Sequence, residues 1–168
     1  DITDNKYQID ITNQENPGNI DLLFSNNAKG HTYTNPNANL KFNHMLSMVT
    51  LNISAGDEVT SLEGITAEIR DVSTKGTFDI STVDIAIKED TKGTITPIIK
   101  GNSNSTTVSA ILIPGQDFSN TTIVMNISGN NLEWKPNNKV LESGNNYQFS
   151  IKVTTQGTLE VGKAEIIG

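Results

Sequence analysis

The chain contains no cysteine, which excludes structural disulfides and thiolate metal sites. Aromatic residues are only 5 % of it, and Trp134 is its one tryptophan. Carbohydrate-binding modules present a platform of rings, and here Tyr33 and Tyr147 are far from Trp134 in sequence. Arginine occurs once, at Arg70, and the formal net charge is −7. No basic patch exists to neutralise phosphates, so nucleic acid is excluded as a partner. No apolar run approaches the ~20 residues that cross a bilayer. The chain opens at Asp1 without a methionine. That reads as a processed product, any leader or lipid anchor having been removed, so that the membrane is reached only through that lost anchor.

What is present points to strands. Asn, Ser and Thr together make up about a third of the 168 residues, Thr favouring a pleated surface and Asn and Ser favouring turns. A chain of this length buries roughly two-thirds of its unfolded surface and builds one domain of ordinary size.

Residues 1–30 differ from the remainder. Asn13 to Asn19 is polar around a Pro17–Gly18 turn signal, Ile20 to Phe24 is a short apolar strand candidate, and Ser25 to Asn39 reads as linker. The expected division is a trailing strand and linker of a preceding N-terminal domain over 1–30, then a β-sandwich over 31–168. From Leu40 a period of two takes over. Leu40 and Phe42 alternate with polar residues, and Val49, Leu51 and Ile53 alternate in the opposite phase. A one-residue slip flips every side chain, so a bulge or short helical turn is expected across His44–Met48.

Further alternations follow at Ile65, Ala67, Ile69, at Val108, Ala110, Leu112, at Ile123, Met125, Ile127, and at Tyr147, Phe149, Ile151, Val153. Leu132 and Trp134 follow Gly129 as the second arm of a hairpin. Pro97 marks an edge or a bulge. Leu159, Val161, Ala164 and Ile166 close the chain. No window carries a 3.6-residue stripe. The fold class is all-β, a two-sheet sandwich of about 7–9 strands.

Residues able to do chemistry are few. His31 lies in the polar linker and reads as solvated, and His44, beside Met45 and Leu46, reads as a packed histidine. No serine stands in a nucleophile-elbow context. Asp84, Glu89 and Asp90 share a mixed-charge loop with Lys88 and Lys92, a solvated turn more than a glycosidase pair. Asp71 to Gly76 has the glycine of a calcium loop but Lys75 among its ligand positions. Asn52, Asn104, Asn120 and Asn126 begin N-x-Ser/Thr triplets, which chance supplies in so polar a chain. No catalytic, metal or cofactor site is expected.

Five stretches resemble one family. They are Asp21-Leu22-Leu23-Phe24, Leu40 to Val49 (LKFNHMLSMV), Ala110 to Gln116 (AILIPGQ), Ser143 to Phe149 (SGNNYQF) and Thr158 to Ile166. In this order they resemble the fimbrillin-like proteins of Bacteroidales, the type V pilins and their minor-subunit relatives. The resemblance implies a transthyretin-like β-sandwich and a lipoprotein precursor exported to the outer membrane. It implies a structural or adhesive place in a cell-surface fimbria, with other fimbrial subunits, or a host or bacterial surface ligand, as partners. A subunit lacking one strand exposes backbone groups that a donated strand satisfies. Leu159, Val161, Ala164 and Ile166 are the candidate donor or edge strand. The competing expectations are an ordinary last strand and a surface module that binds glycan or protein without polymerising.

Overall fold

The computed structural model describes residues 2–28, 30, 32–34, 39–56, 59, 61–137, 140–154 and 158–168. His31 and its expected solvation lie outside them. Among the described residues the chain is all-β, with one four-residue helix, α1 (Pro17–Ile20). The strands open with β1 (Ile2–Thr3), β2 (Lys6–Asp10), β3 (Leu23–Phe24), β4 (Asn43–His44), β5 (Ser47–Ala55), β6 (Thr66–Ser73), β7 (Lys75–Asp79) and β8 (Asp84–Ile87). They continue with β9 (Lys92–Ile95), β10 (Ile98–Gly101), β11 (Ser105–Leu112), β12 (Thr122–Ile127), β13 (Asn130–Trp134), β14 (Asn146–Val153), β15 (Leu159–Val161) and β16 (Glu165–Ile167). The sixteen strands among the described residues exceed the expected count because short strands such as β1, β3 and β4 are added and the run 94–100 divides between two sheets at Pro97.

The largest sheet has the order β10-β11-β5-β14-β15, with β16 also on β14. Its centre, β14 beside β5, is parallel, and its other pairs are antiparallel. Two four-stranded sheets, β13-β12-β6-β9 and β1-β2-β7-β8, are joined because β6 runs into β7 through Thr74. Thr74 donates its N–H and its hydroxyl to Thr91 O, at 3.1 and 2.8 Å. Among the described residues no sheet closes into a barrel.

The alternations map onto the core as the period of two requires. Val49, Leu51, Ile53, Tyr147, Phe149, Ile151 and Val153 are buried in one hydrophobic cluster with Ile69, Ile123 and Met125 of β6 and β12. The phase change at His44–Met48 is a bend. The chain leaves β4, paired with β3, and enters β5 with Met45, Leu46 and Ser47 buried in succession. Pro97 sits where the chain crosses from β9, at the edge of one sheet, to β10, at the edge of another. Neither ladder needs the N–H that proline lacks. The β12–β13 hairpin turns on Ser128 and Gly129, with φ of 52° and 85°. That left-handed pair matches the twist of the strands it joins.

The first segment departs most from expectation. Ile20 to Phe24 is the end of α1 and a two-residue strand, because Pro17 presets the first helical turn. Leu40 and Phe42 lie outside any strand and are exposed. Ile9 and Ile11 are buried in the same core as the strands beyond residue 31, and β2 pairs with β7.

Candidate assembly surface

The closing strands line one margin of the six-stranded sheet. β15 pairs Val161 with Ile151 and Leu159 with Val153, and β16 pairs Ile166 with Tyr147 and Glu165 with Gln148. Gly162 N donates to Ser150 O at 2.8 Å and Thr154 N to Thr158 O at 3.0 Å. The four candidate residues are thus brought to one edge, unequally seated. Leu159, Val161 and Ala164 are half-buried against the core, Ala164 in the link between β15 and β16, whereas Ile166 is 45 % exposed. Such a segment is held chiefly by main-chain hydrogen bonds, each contributing only about 1 kcal/mol net.

The opposite margin of the same sheet is β10. Ile98 and Ile99 are half-buried, and Lys100 and Gly101 exposed. A cavity of about 420 Å3 opens beside it, lined by Leu62, Ile65, Ile99, Gly101 and Thr106 among others. The sequence marks Thr94 to Lys100 as a strand candidate with an edge or bulge at Pro97, but assigns this margin no part in assembly. Gly101 is required by the ladder itself, since a Cβ there would stand 2.5 Å from Thr106 Cα and clash with Ser105 O.

The residues weighed for chemistry are dispersed. His44 Nδ1 meets Asp21 Oδ2 at 2.8 Å and is exposed, not packed as expected, because β4 turns it outward on the two-stranded ribbon. The pair borders an apolar pocket of about 190 Å3 with Leu46, Met48 and Ile111. Ser47 also lines it, but its hydroxyl donates to Glu142 O, at 2.8 Å, instead of facing the imidazole. Asp84 begins β8, while Glu89 and Asp90 form a short 3-10 turn. Asp71 to Gly76 is no loop. It runs through β6 and β7, with Asp71 (φ 64°) at a register shift against β9. Trp134 is half-buried edge-on against Phe149, ring centroids 4.9 Å apart.

Two carboxylates are held below their ordinary range. Asp10 accepts from the Thr12 hydroxyl, the main cause, and from Thr12 N at 3.0 Å, with Lys75 beside it at 3.4 Å. Asp117 accepts in the same way from the Ser119 hydroxyl and N–H. Both shape local turns.

A family model described as fimbrillin-like matches residues 1–167. The chain belongs to the fimbrillin-like family. No curated protein sequence matches it. Among solved structures, this fimbrillin-like chain is similar to a candidate cell adhesion protein of Bacteroides uniformis. That likeness has a TM-score of 0.87 at 21 % identity and covers 99 % of this chain and 68 % of the other. A second candidate cell adhesion protein, from Bacteroides ovatus, gives 0.61 at 16 % identity over 87 % of this chain and 59 % of its own. A third, from Bacteroides fragilis, gives 0.56 at 13 % over 77 % and 47 %. At these identities the shared property is the fold. The fimbrillin-like chain spans only part of each of these proteins.

Proposed function

We propose that this chain is a non-enzymatic, structural or adhesive subunit of a cell-surface fimbria. In this reading its sheets form a two-layer, transthyretin-like sandwich. Export to the outer membrane goes through a lipid anchor that is later lost, and the subunits join by strand exchange. The observation that carries the assembly is the closing segment. Leu159, Val161, Ala164 and Ile166 lie on a margin whose side chains are at most half-buried and whose hold on β14 is mostly backbone. A segment of that kind leaves and is replaced at low cost, since a strand from a neighbour restores the same hydrogen bonds. Fimbrillin-like membership and three adhesion-type relatives in fold support the surface role.

The test compares the full-length secreted precursor with the 168-residue chain, before and after limited trypsin treatment, by size-exclusion chromatography and negative-stain microscopy. Fibres or ladders that appear on cleavage support strand exchange. A monomer under every condition removes the shaft role.

A second reading is a surface module that binds glycan or protein and does not polymerise. It is favoured by the pocket in which Leu46, Met48 and Ile111 sit beside the Asp21–His44 pair. Saturable binding of a surface glycan by a protein that stays monomeric would select it.

A further inference from the structure

The two margins of the six-stranded sheet complement each other. Asn102 N donates to Ser105 O, and bonds alternate along an antiparallel ladder. The N–H and C=O groups of Ile99 and Gly101 therefore point away from β11. On the other margin, the bonds from Gly162 N to Ser150 O and from Thr154 N to Thr158 O fix the opposite parity. Leu159 and Val161 turn their backbone groups away from β14. Among the described residues both sets lack a strand partner, since β10 and β15 end the sheet.

We propose that β15 of one copy pairs antiparallel with β10 of a second copy and extends the sheet from subunit to subunit. The matching register places Val161 beside Ile99, Glu160 beside Lys100, Leu159 beside Gly101 and Gly162 beside Ile98. Val161 with Ile99 is an apolar pair and Glu160 with Lys100 a pair of opposite charge. Lys100 and Glu160 both lie on the outer face, Lys100 opposite Thr107 and Glu160 opposite Lys152 of their own copies. They would meet as the close, non-hydrogen-bonded pair of the new ladder. Leu159 would lie opposite Gly101 on the core side, at the margin where the 420 Å3 cavity lined by Ile99, Gly101 and Thr106 opens. Gly162 leaves room for Ile98. The margin β15 already fills has the same pattern, with Ile151-Lys152-Val153 facing Val161-Glu160-Leu159, and Ile99-Lys100-Gly101 repeats it.

The alternative view is that Pro97, Lys100 and Gly101 simply blunt an edge. Glu160 distinguishes the two. β10 against β10 sets lysine on lysine and β15 against β15 sets glutamate on glutamate, so only the unlike margins accept each other. Direction follows as well. β10 and β15 run opposite ways, because β10 is antiparallel to β11, β11 to β5, and β15 to β14, which is parallel to β5. An antiparallel β15–β10 joint therefore repeats the subunit in one orientation. That is a heterologous contact, which grows into an open filament unless its rotation closes a ring.

This inference rests on the fimbrial reading but needs no strand to leave its own subunit. The test uses the absence of native cysteine. Lys100→Cys and Glu160→Cys variants are mixed in equal amounts under mild oxidation. The 100–160 disulfide is expected to predominate over both like-with-like products, and a statistical mixture would overturn the pairing. In a second arm, sedimentation follows a protein whose closing strand is locked by Gln148→Cys and Glu165→Cys. These are partners on β14 and β16 in the hydrogen-bonded parity, whose Cα spacing of about 5.5 Å accepts a disulfide. The locked protein is expected to associate as the unmodified chain does. Lys100→Glu should weaken association about tenfold, and mixing it with Glu160→Lys should restore it. If the locked protein stays monomeric while the unmodified chain associates, strand exchange stands and edge pairing falls. If neither associates and the disulfides are statistical, both fall.

Discussion

Gln14 is joined to Ile111 as one strand is joined to another. Its Nε2 donates to Ile111 O at 3.0 Å and its Oε1 accepts from Ile111 N at 2.9 Å. β10 begins too late to cover Ile111, so a side-chain amide completes the ladder where no strand does. Gln14 is 2 % exposed and also donates to Ile11 O. Gln14→Leu removes the side-chain partner of one buried N–H, that of Ile111, and of two carbonyls, Ile111 O and Ile11 O. It is expected to lower stability by about 2–4 kcal/mol, read from the urea midpoint at unchanged slope. A loss under about 0.5 kcal/mol would show that water replaces the amide.

The same device occurs a second time, at Gln116. It donates to Ile113 O and accepts from Ser73 N. The two segments read Ile9-Asp10-Ile11-Thr12-Asn13-Gln14 and Ile111-Leu112-Ile113-Pro114-Gly115-Gln116, each with isoleucine, two turn residues and a buried glutamine. Gln116 ends one of the stretches that resemble the family, but the bonding role of neither glutamine was legible, because an amide at a strand end reads as a solvated turn until its partner strand is placed. The strands themselves were legible wherever one face is buried, as in Tyr147 to Val153. Leu40 and Phe42 misled for the same reason, since alternation marks a strand only if a sheet covers one face. Of the assembly surface, Leu159 and Val161 could be read from their period. The role of β10 could not, because it depends on which strand ends the sheet.

Tyr147 closes the start of β14. Its ring is 2 % exposed, and its hydroxyl accepts from Glu142 N at 2.8 Å. Tyr147→Phe keeps the packing and strands that N–H, so a loss of about 1–2 kcal/mol is expected by chemical denaturation. Tyr147→Ala removes the ring as well, at about 3–5 kcal/mol. Equal losses for the two variants would show that the hydroxyl carries the whole effect.

Asp10 and Asp117 give the fold an acid limb. Their folded-state pKa values are lowered from an ordinary 3.8 by hydrogen bonds from Thr12 and Ser119 respectively. A carboxylate depressed on folding contributes stability above its unfolded pKa and loses it as pH falls through the folded value. Stability is therefore expected to be flat from pH 7 to about 5 and to decline from near pH 4 downward. Asp10→Asn with Asp117→Asn keeps an Oδ1 acceptor in each turn and should make that decline shallower. Urea midpoints from pH 7 to pH 2.5 measure it, and an unchanged slope in the double variant would assign the acid limb to other carboxylates.

The central claim is that this fimbrillin-like chain is built into a surface filament. The most direct measurement is immunogold electron microscopy of intact cells that produce the full-length protein, with antibody raised against this 168-residue chain. Gold is expected along thin filaments or at their tips, and should vanish from them when the gene is deleted. Gold confined to the cell envelope, on cells whose filaments remain unlabelled, would contradict it.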